Sequence, residues 1–431
     1  MKKYSSYIDS GVQWLGEIPE HWKLKSGYTI LYEVKEKNKG MKRNTVLSLS
    51  YGKIKIKEVE DLNGLVPESF ETYQLVNKGD LIFRPTDLQN DHVSLRSAMS
   101  DYEGIITSAY LNFRLLPNTD SRYYSYIFRN IDNNKVIYGL GSGLRQNISF
   151  LDFKRFIFPY PPLPEQTRIA QFLDKKTALI DKAIALKEKQ IELLKERRQI
   201  LIHRAVTRGL NPNVKLKDSG VEWIGEIPEH WEVKKLKHVT SKIGSGVTPS
   251  GGGSTYLDSG IPLLRSQNIL FDRIDLEGVA YISEKTHASM SNSHVKKGDV
   301  LLNITGGSIG RCYFIDINFP LNVNQHVCIV RPNNKISTIY LNGILASEVG
   351  QAQIYFFQQG GGREGLNFQA LKNFFIPLPT ISEQETISKC IKHVSYKIST
   401  AITLKEKEIE KLKEYKSVLI NEAVSGKIKI N

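Results

Sequence analysis

Two Glu-Val-Lys triplets, at 33–35 and 232–234, come nearest to a catalytic pattern. Such a triplet is nuclease-like, with an acid for a divalent ion and a lysine beside it. That chemistry needs a further acid in support, and no partner acid is specified by the sequence. Other catalytic signatures are missing. No GxxxxGK[ST] phosphate loop occurs. "PYPPLP" at 159–164 lacks the Asn or Asp that an amino-methyltransferase string would need, and "NFPL" at 318–321 lacks its second proline. "GGSIGR" at 306–311 has no dinucleotide context. The nine histidines are scattered, with no HxxxH pattern, and the three cysteines form no CxxC pair. Catalysis is not expected of this chain.

Residues suited to recognition are more plentiful. Arginine pairs two-pronged with guanine, and Asn or Gln with adenine. In the first half the candidates for base contact are Arg84, Ser108, Tyr110, Arg145 and Gln146. In the second half they are Arg265, Gln267, Asn268, Asn303, Gln325, His326 and Arg363. Arg145 and Arg363 stand out, because each follows glycines at matching places, in "GLGSGLRQNIS" and "GGGREGLNF". A formal net charge of +14 over 431 residues favours a polyanionic partner, nucleic acid first.

The elements that would position these residues come in duplicate. "DSGVQWLGEIPEHW" at 9–22 returns as "DSGVEWIGEIPEHW" at 218–231, changed at two places only. These strings hold all four tryptophans, Trp14, Trp22, Trp223 and Trp231, which read as packing anchors. Each string is expected to lead from a turn into the first strand of the stretch that follows. A longer block at 161–206 returns at 379–424, a shift of 218 (379 − 161). Both copies open after proline with Glu-Gln, at Glu165-Gln166 and Glu383-Gln384, a helix-start signal. Ser382 is the expected cap of the second. Apolar residues then recur at intervals of three, four and seven: Leu173, Ile180, Ile184, Ile191, Leu194 and Leu201 in one copy, and Ile391, Ile398, Ile402, Ile409, Leu412 and Leu419 in the other. That spacing predicts two helices of about 40 residues, roughly 60 Å long, each with one stripe to hide and a solvated face between. An antiparallel pair would hide both stripes.

Between the anchors lie two dissimilar stretches, each strand-rich. Each carries a Lys-Gly-Asp turn before an apolar run, in "VNKGDLIFRP" at 76–85 and "VKKGDVLLNITGG" at 295–307. The shift of 218 also puts Lys154 on Lys372 and Pro159 on Pro377, so the two share a scaffold and differ in loops. The fold class is therefore α+β: two mixed α/β domains with strand-rich cores, separated by two long antiparallel helices in a pseudo-two-fold, circularly arranged chain. The divisions fall at 1–22 (anchor), 23–160 (first domain), 161–208 (first long helix), 209–231 (linker and second anchor), 232–378 (second domain) and 379–431 (second long helix and tail). The tail "SGKIKIN" stops where the counterpart linker begins, so the two termini are expected to lie together.

A hydrophobic fraction of 40% suits a globular protein. No stretch approaches the ~20 apolar residues of a membrane span, and "MKKYSSYIDS" has no secretory h-region. A reduced, cytoplasmic location is expected.

The order of parts resembles the specificity (S) subunit of type I restriction-modification systems. The strings that carry the resemblance are "DSGVEWIGEIPEHW", "PPLPEQTRIAQFLDKKTALIDKAI" with its long helix, and the Lys-Gly-Asp turns; they span essentially the whole chain. "PTISEQ" replaces "PPLPEQ" in the second copy. The resemblance implies that each domain is a target-recognition domain reading half of a bipartite site in double-stranded DNA. It implies that the helix pair sets the gap between half-sites and docks methyltransferase (M) subunits, usually two. It implies that motor-nuclease (R) subunits can join. This chain would bind no cofactor; S-adenosylmethionine, ATP and Mg would belong to its partners. Two rivals remain on sequence alone: a coiled-coil adaptor with two protein-binding domains, and a nuclease built on the Glu-Val-Lys triplets.

Overall fold

The computed structural model describes residues 2–57, 69–86, 88, 95–139, 147–249, 251–358 and 365–431. The chain forms two compact units, Met1–Lys187 with Lys407–Asn431, and Glu188–Glu406. The division runs through both long helices. Each unit is thus built from one anchor, one variable stretch, the start of one long helix and the end of the other.

Each anchor folds as a small hairpin. Tyr7–Asp9 pairs antiparallel with Glu17–Pro19, and Leu216–Asp218 with Glu226–Pro228. The chain then enters a strand that pairs with the last strand before the long helix: Lys23–Ser26 with Ile157–Tyr160, and Glu232–Lys235 with Phe375–Leu378. Each variable domain is thereby closed at its neck.

Inside the necks, two sequences with little in common make one topology. In the first unit the main sheet runs Leu31–Glu33, Leu111–Leu115, Leu81–Phe83, Ser97–Met99. In the second it runs Thr240–Ser245, Val327–Pro332, Val300–Asn303, Cys312–Phe314. All these pairs are antiparallel. A second sheet of the second unit runs Ala280–Ile282, Ile261–Leu264, Leu321–Val323, His294–Val295, with its central pair parallel. The first unit has the same arrangement in two pieces. Leu47–Ser50 pairs with Lys53–Ile56, Gln74–Val76 pairs with Gly104–Ile106, and the pieces meet at one parallel bridge, Val46 to Ile105. The strands are half-buried: Leu47 and Ile54 face a core with Val76, Ile82, Ala98 and Ile106, while Lys53 and Lys55 face out.

The Lys-Gly-Asp turns sit where strand must follow turn. Gly79 and Gly298 both have φ 91°, a left-handed conformation that glycine adopts without penalty.

The first long helix spans Leu163–Arg208 and the second Ile381–Val424. The second starts a residue before the expected cap. Ser382 lies inside it; Thr380 stands ahead of it, its hydroxyl accepting from the Glu383 N–H at 3.4 Å. In the first unit Lys187 meets Glu408 at 2.5 Å and Asp181 meets Lys416 at 2.7 Å. Partners descend on one helix as they rise on the other, so the packing is antiparallel. Leu173, Ile180, Ile184, Ile191, Ile391, Ile398, Ile409 and Leu419 are buried, and Leu194, Leu201, Ile402 and Leu412 are half-buried. The opposite face of the first helix is less polar than expected: Leu179, Leu186, Leu193 and Ile200, seven apart, are half or more exposed. The period of the seam had hidden this second stripe, because a heptad repeat can carry two apolar positions on different faces.

Each helix end is held by the domain that the other helix serves. In the second unit Tyr340, fully buried, donates to the Val206 carbonyl at 3.2 Å. In the first, Tyr123 donates to the Val424 carbonyl at 3.0 Å. The termini meet: the Lys429 N–H donates to the Lys2 carbonyl at 2.9 Å, and the Tyr7 hydroxyl to the Lys427 carbonyl at 3.2 Å. Gly209 and Gly426 end the two helices at φ 72° and 74°. A Cβ on Gly426 would meet Pro19 Cδ at 2.4 Å, whereas one on Gly209 finds nothing nearer than Trp231 Cζ2 at 3.3 Å. Gly426→Ala is therefore expected to cost about 2–4 kcal/mol, a left-handed residue plus overpacking, and Gly209→Ala only about 1–2 kcal/mol. Equal losses in urea unfolding would contradict this packing.

Candidate nucleic-acid interface

What presents the candidate loops is a frame fixed at three points. The first is the junction of anchor and helix. In the second unit Glu383 accepts from Trp231 Nε1 at 3.1 Å, with His230 Nε2 at 3.0 Å. In the first unit Glu165 lies 2.9 Å from His21 Nε2 and accepts from the Tyr4 hydroxyl. Trp22 is buried too, but its Nε1 has no partner among the described residues. The Glu-His-Trp string and the Glu-Gln helix start therefore recur together because they bind each other. The second point is the neighbouring glutamine. Gln166 accepts from the Asp120 N–H at 2.9 Å and Gln384 from the Ser337 N–H at 2.8 Å, tying helix start to domain.

The third point is inside the domain. Asp299 of the second Lys-Gly-Asp turn is fully buried and accepts from Arg331 Nε at 2.7 Å and Nη2 at 2.8 Å. Asp80 accepts from Arg114 at 2.8 and 2.9 Å in the same way. The bonded carboxylate raises the pKa of each arginine above the ordinary value. These pairs join the turn to the central strand of the main sheet.

In the second unit the candidate readers converge on the ends of three strands. The Ser266 carbonyl, next to Arg265, accepts from Asn303 Nδ2 at 2.7 Å. The Asn324 N–H donates to the Leu264 carbonyl at 3.1 Å. His326 Nδ1 lies 2.6 Å from the Thr305 hydroxyl and its Nε2 3.1 Å from Gln325. Thr305 bridges to Gly365, the first described residue after the glycine-rich loop. Gln267 and Gln325 are exposed there, and Arg265 and His326 half-exposed. Asn268 and Asn303 are different. Asn268 is buried, accepting from the Arg265 N–H at 3.0 Å and donating to the Asp275 carbonyl at 2.9 Å. Asn303 is fully buried and donates to Ser266. Both shape the loops from below.

In the first unit the equivalent ends come together. The register Leu111 to Phe83 sets Tyr110 beside Arg84. The Ile148 N–H donates to the Pro85 carbonyl at 3.0 Å, bringing the end of the glycine-rich loop alongside. Ser108 donates to the Thr72 carbonyl and accepts from Lys37 at 2.7 Å. Arg145, Gln146 and Arg363 lie outside the described residues.

One contributor was invisible in the sequence. Arg96 is fully buried, with Nη1 on the Thr86 carbonyl at 2.6 Å and Nε on the Tyr138 hydroxyl at 3.2 Å. It fixes the loop bases near Arg84. Nothing in "LRSAM" separates it from a surface arginine. The Asp–Arg pairs did leave a signal: each turn is followed by an arginine, 34 and 32 residues on. The Glu-Val-Lys triplets close on themselves, with Lys35 on Glu33 at 2.9 Å and Lys234 on Glu232 at 2.8 Å. Among the described residues no three His, Cys, Asp or Glu gather as a metal site. Cys312 and Cys328 are buried, which pushes both thiols up to about 12.

A duplicated two-sheet domain on paired long helices, with variable loops at equivalent strand ends, defines a class of two-domain recognition protein. Residues 24–196 and 228–414 match the type I restriction modification DNA specificity domain, and the chain belongs to that family. It is 30% identical over 283 residues to the type I restriction enzyme MjaVIII specificity subunit of Methanocaldococcus jannaschii, 64% of this chain and 63% of that one. It is 31% identical over 246 residues to the EcoBI specificity subunit of Escherichia coli, covering 55% of this chain and 51% of that one. Those two matches thus span half to three fifths of the relatives. A putative MjaX specificity subunit matches at 25% over 96% of both chains. Among solved structures, a chain from work on complex assembly of the type I R-M system shares the fold at a TM-score of 0.68, with 17% identity and 95% of this chain covered. The HsdS subunit of Thermoanaerobacter tengcongensis shares it at 0.50, with 16% identity and 95% coverage.

Proposed function

We propose that this chain is the DNA-binding specificity subunit of a type I restriction-modification complex and has no catalytic role of its own. Each variable domain reads one half of a bipartite site in double-stranded DNA. The observation that carries this is the pairing of one conserved-by-repeat topology with unlike loops: the same sheet order twice, but different side chains at the same strand ends. A single reader would not need two such frames. The basic surface supplies the salt-dependent phosphate attraction, and two weak readers on one chain gain affinity through effective concentration.

The helix pair sets the gap between half-sites and docks methyltransferase subunits, two in the full complex, with motor-nuclease subunits able to join. The exposed stripe Leu179, Leu186, Leu193 supports helix-on-helix docking, because apolar residues at that spacing seek a partner. S-adenosylmethionine, ATP and Mg act on the partners, and the complex works in the cytoplasm. No helix among the described residues is long and apolar enough to cross a membrane.

The test is a methylation map of DNA from cells carrying this chain with its methyltransferase, beside cells lacking this chain. The expected result is a split motif of modified adenines present only with the chain. Deleting one heptad at facing positions of both helices is expected to shorten the gap by about three base pairs, ~10 Å at 1.5 Å per residue, with both half-sequences unchanged. No chain-dependent motif would leave the adaptor reading in its place.

A further inference from the structure

We propose that the hairpin Leu47–Ser50/Lys53–Ile56 of the first unit is a DNA-contacting β-ribbon, with Tyr51 at its tip stacking on a base or sugar and Lys53 and Lys55 on phosphates. The inference rests on the DNA-binding reading above and adds an element that none of the candidate base-contacting residues belongs to.

The turn is the first argument. Ser50 faces Lys53 across the ladder, so Tyr51 and Gly52 form a two-residue loop. Both have positive φ, 49° and 67°, the type I′ pattern that favours Asn-Gly. Tyrosine in the left-handed region costs energy that asparagine would not, yet its side chain is 90% exposed. Folding gains nothing from that ring. A strained residue held in place against local preference points to a use for its side chain.

The second argument is how the tip is held. The Gly52 carbonyl accepts from Arg129 Nη2 at 2.6 Å, from the helix Ser121–Asn133. A Cβ on Gly52 would meet that guanidinium at 2.6 Å and push it aside, and the φ of 67° itself favours glycine. The tip is thus seated from beneath while Tyr51 projects. The inner face is anchored by Leu47 and Ile54 in the core.

Charge is the third. Lys53, Lys55 and Lys57 alternate with Ile54 and Ile56, so they share the outer face, and all three are exposed. Across the ladder Lys53 faces Ser50 and Lys55 faces Ser48, short side chains that leave the ribbon flat. None of Tyr51, Lys53 and Lys55 has a side-chain partner among the described residues. A row of unpaired ammonium groups beside an exposed aromatic is the chemistry of a phosphate backbone with a stacking contact. A two-stranded ribbon is also one of the two elements that fit the major groove. The position agrees: in the second unit the equivalent strands are joined by residues 265–279, which carry Arg265 and Gln267.

The experiment uses the full chain with its methyltransferase, on duplexes bearing the mapped bipartite site, and compares wild type, Tyr51→Asn and Lys53→Ser/Lys55→Ser. Asparagine suits the turn, so Tyr51→Asn is expected to melt no lower than wild type while binding about tenfold more weakly. The double lysine variant is expected to lower the slope of log affinity against log salt by about two. The slope defect of the lysine variant is expected to persist on DNA whose first-domain half-site is scrambled, because phosphate contacts carry no sequence information. Unchanged affinity and slope in both variants would overturn the proposal. So would lost assembly with the methyltransferase at unchanged DNA affinity of the assembled complex, which would assign the hairpin to a protein contact. A wild-type complex that binds no site would instead remove the function on which the proposal rests, and is seen before any variant is made.

Discussion

Asp299→Ala is expected to destabilise the second unit by about 3–5 kcal/mol. The carboxylate is fully buried and takes two bonds from Arg331 and one from the Lys296 N–H at 2.7 Å. Removing it leaves a guanidinium whose side chain is only 22% exposed with no counter-charge, and an orphaned donor in the turn. The penalty arises from what is left unpaired, so a paired change tests the cause. Asp299→Leu with Arg331→Leu is expected to recover most of the loss, since replacing both ions removes the uncompensated charge. Asp80→Ala is expected to cost less, because Arg114 is 32% exposed and water screens it better. Equilibrium urea unfolding measures all of these. A loss below about 1 kcal/mol for Asp299→Ala would mean that the pair does not hold turn to strand.

Trp231→Ala is expected to cost about 4 kcal/mol, the scale for emptying a fully buried tryptophan site. The instructive variants are the phenylalanines. Trp231→Phe loses the bond from Nε1 to Glu383 as well as volume, whereas the Nε1 of Trp22 has no partner among the described residues to lose. The difference between Trp231→Phe and Trp22→Phe is expected to be about 1.5–3 kcal/mol, the range for a hydrogen bond to a charged group. A Trp22→Phe loss as large as that of Trp231→Phe would show that the two anchors are held by volume alone. The comparison also separates stability from recognition, because neither tryptophan lies at the strand ends that carry the loops.

The repeats were the most legible part of the molecule. The Glu-His-Trp string and the Glu-Gln pair each looked like a separate local signal, one an anchor and one a helix start. Their shared purpose, Glu383 bonded to both His230 and Trp231, is a contact across 152 residues or more, which no local pattern encodes. The heptad stripes gave the seam, since burial follows period directly. They did not reveal the exposed Leu179–Leu186–Leu193 line, because one apolar stripe already accounted for the helix. Among the candidate readers, residue type alone could not separate Gln325, which projects, from Asn303, which is buried under a loop. An amide can serve either end of a hydrogen bond inside or outside a protein.

By itself the sequence determined the duplicated plan, the two long helices with their buried seam, the strand-rich domains between them and the family. All of these rest on periodicity and repetition along the chain. Only the tertiary structure decided that the compact units cut through both helices, each closed by a tyrosine on the end of the other helix, and that two unlike sequences share one sheet order. It alone decided which polar side chains face outward and which prop the loops from within. The reason is physical: local pattern fixes which face of an element is apolar, while the partner of a buried polar group is chosen by whatever distant backbone the fold brings within hydrogen-bond reach.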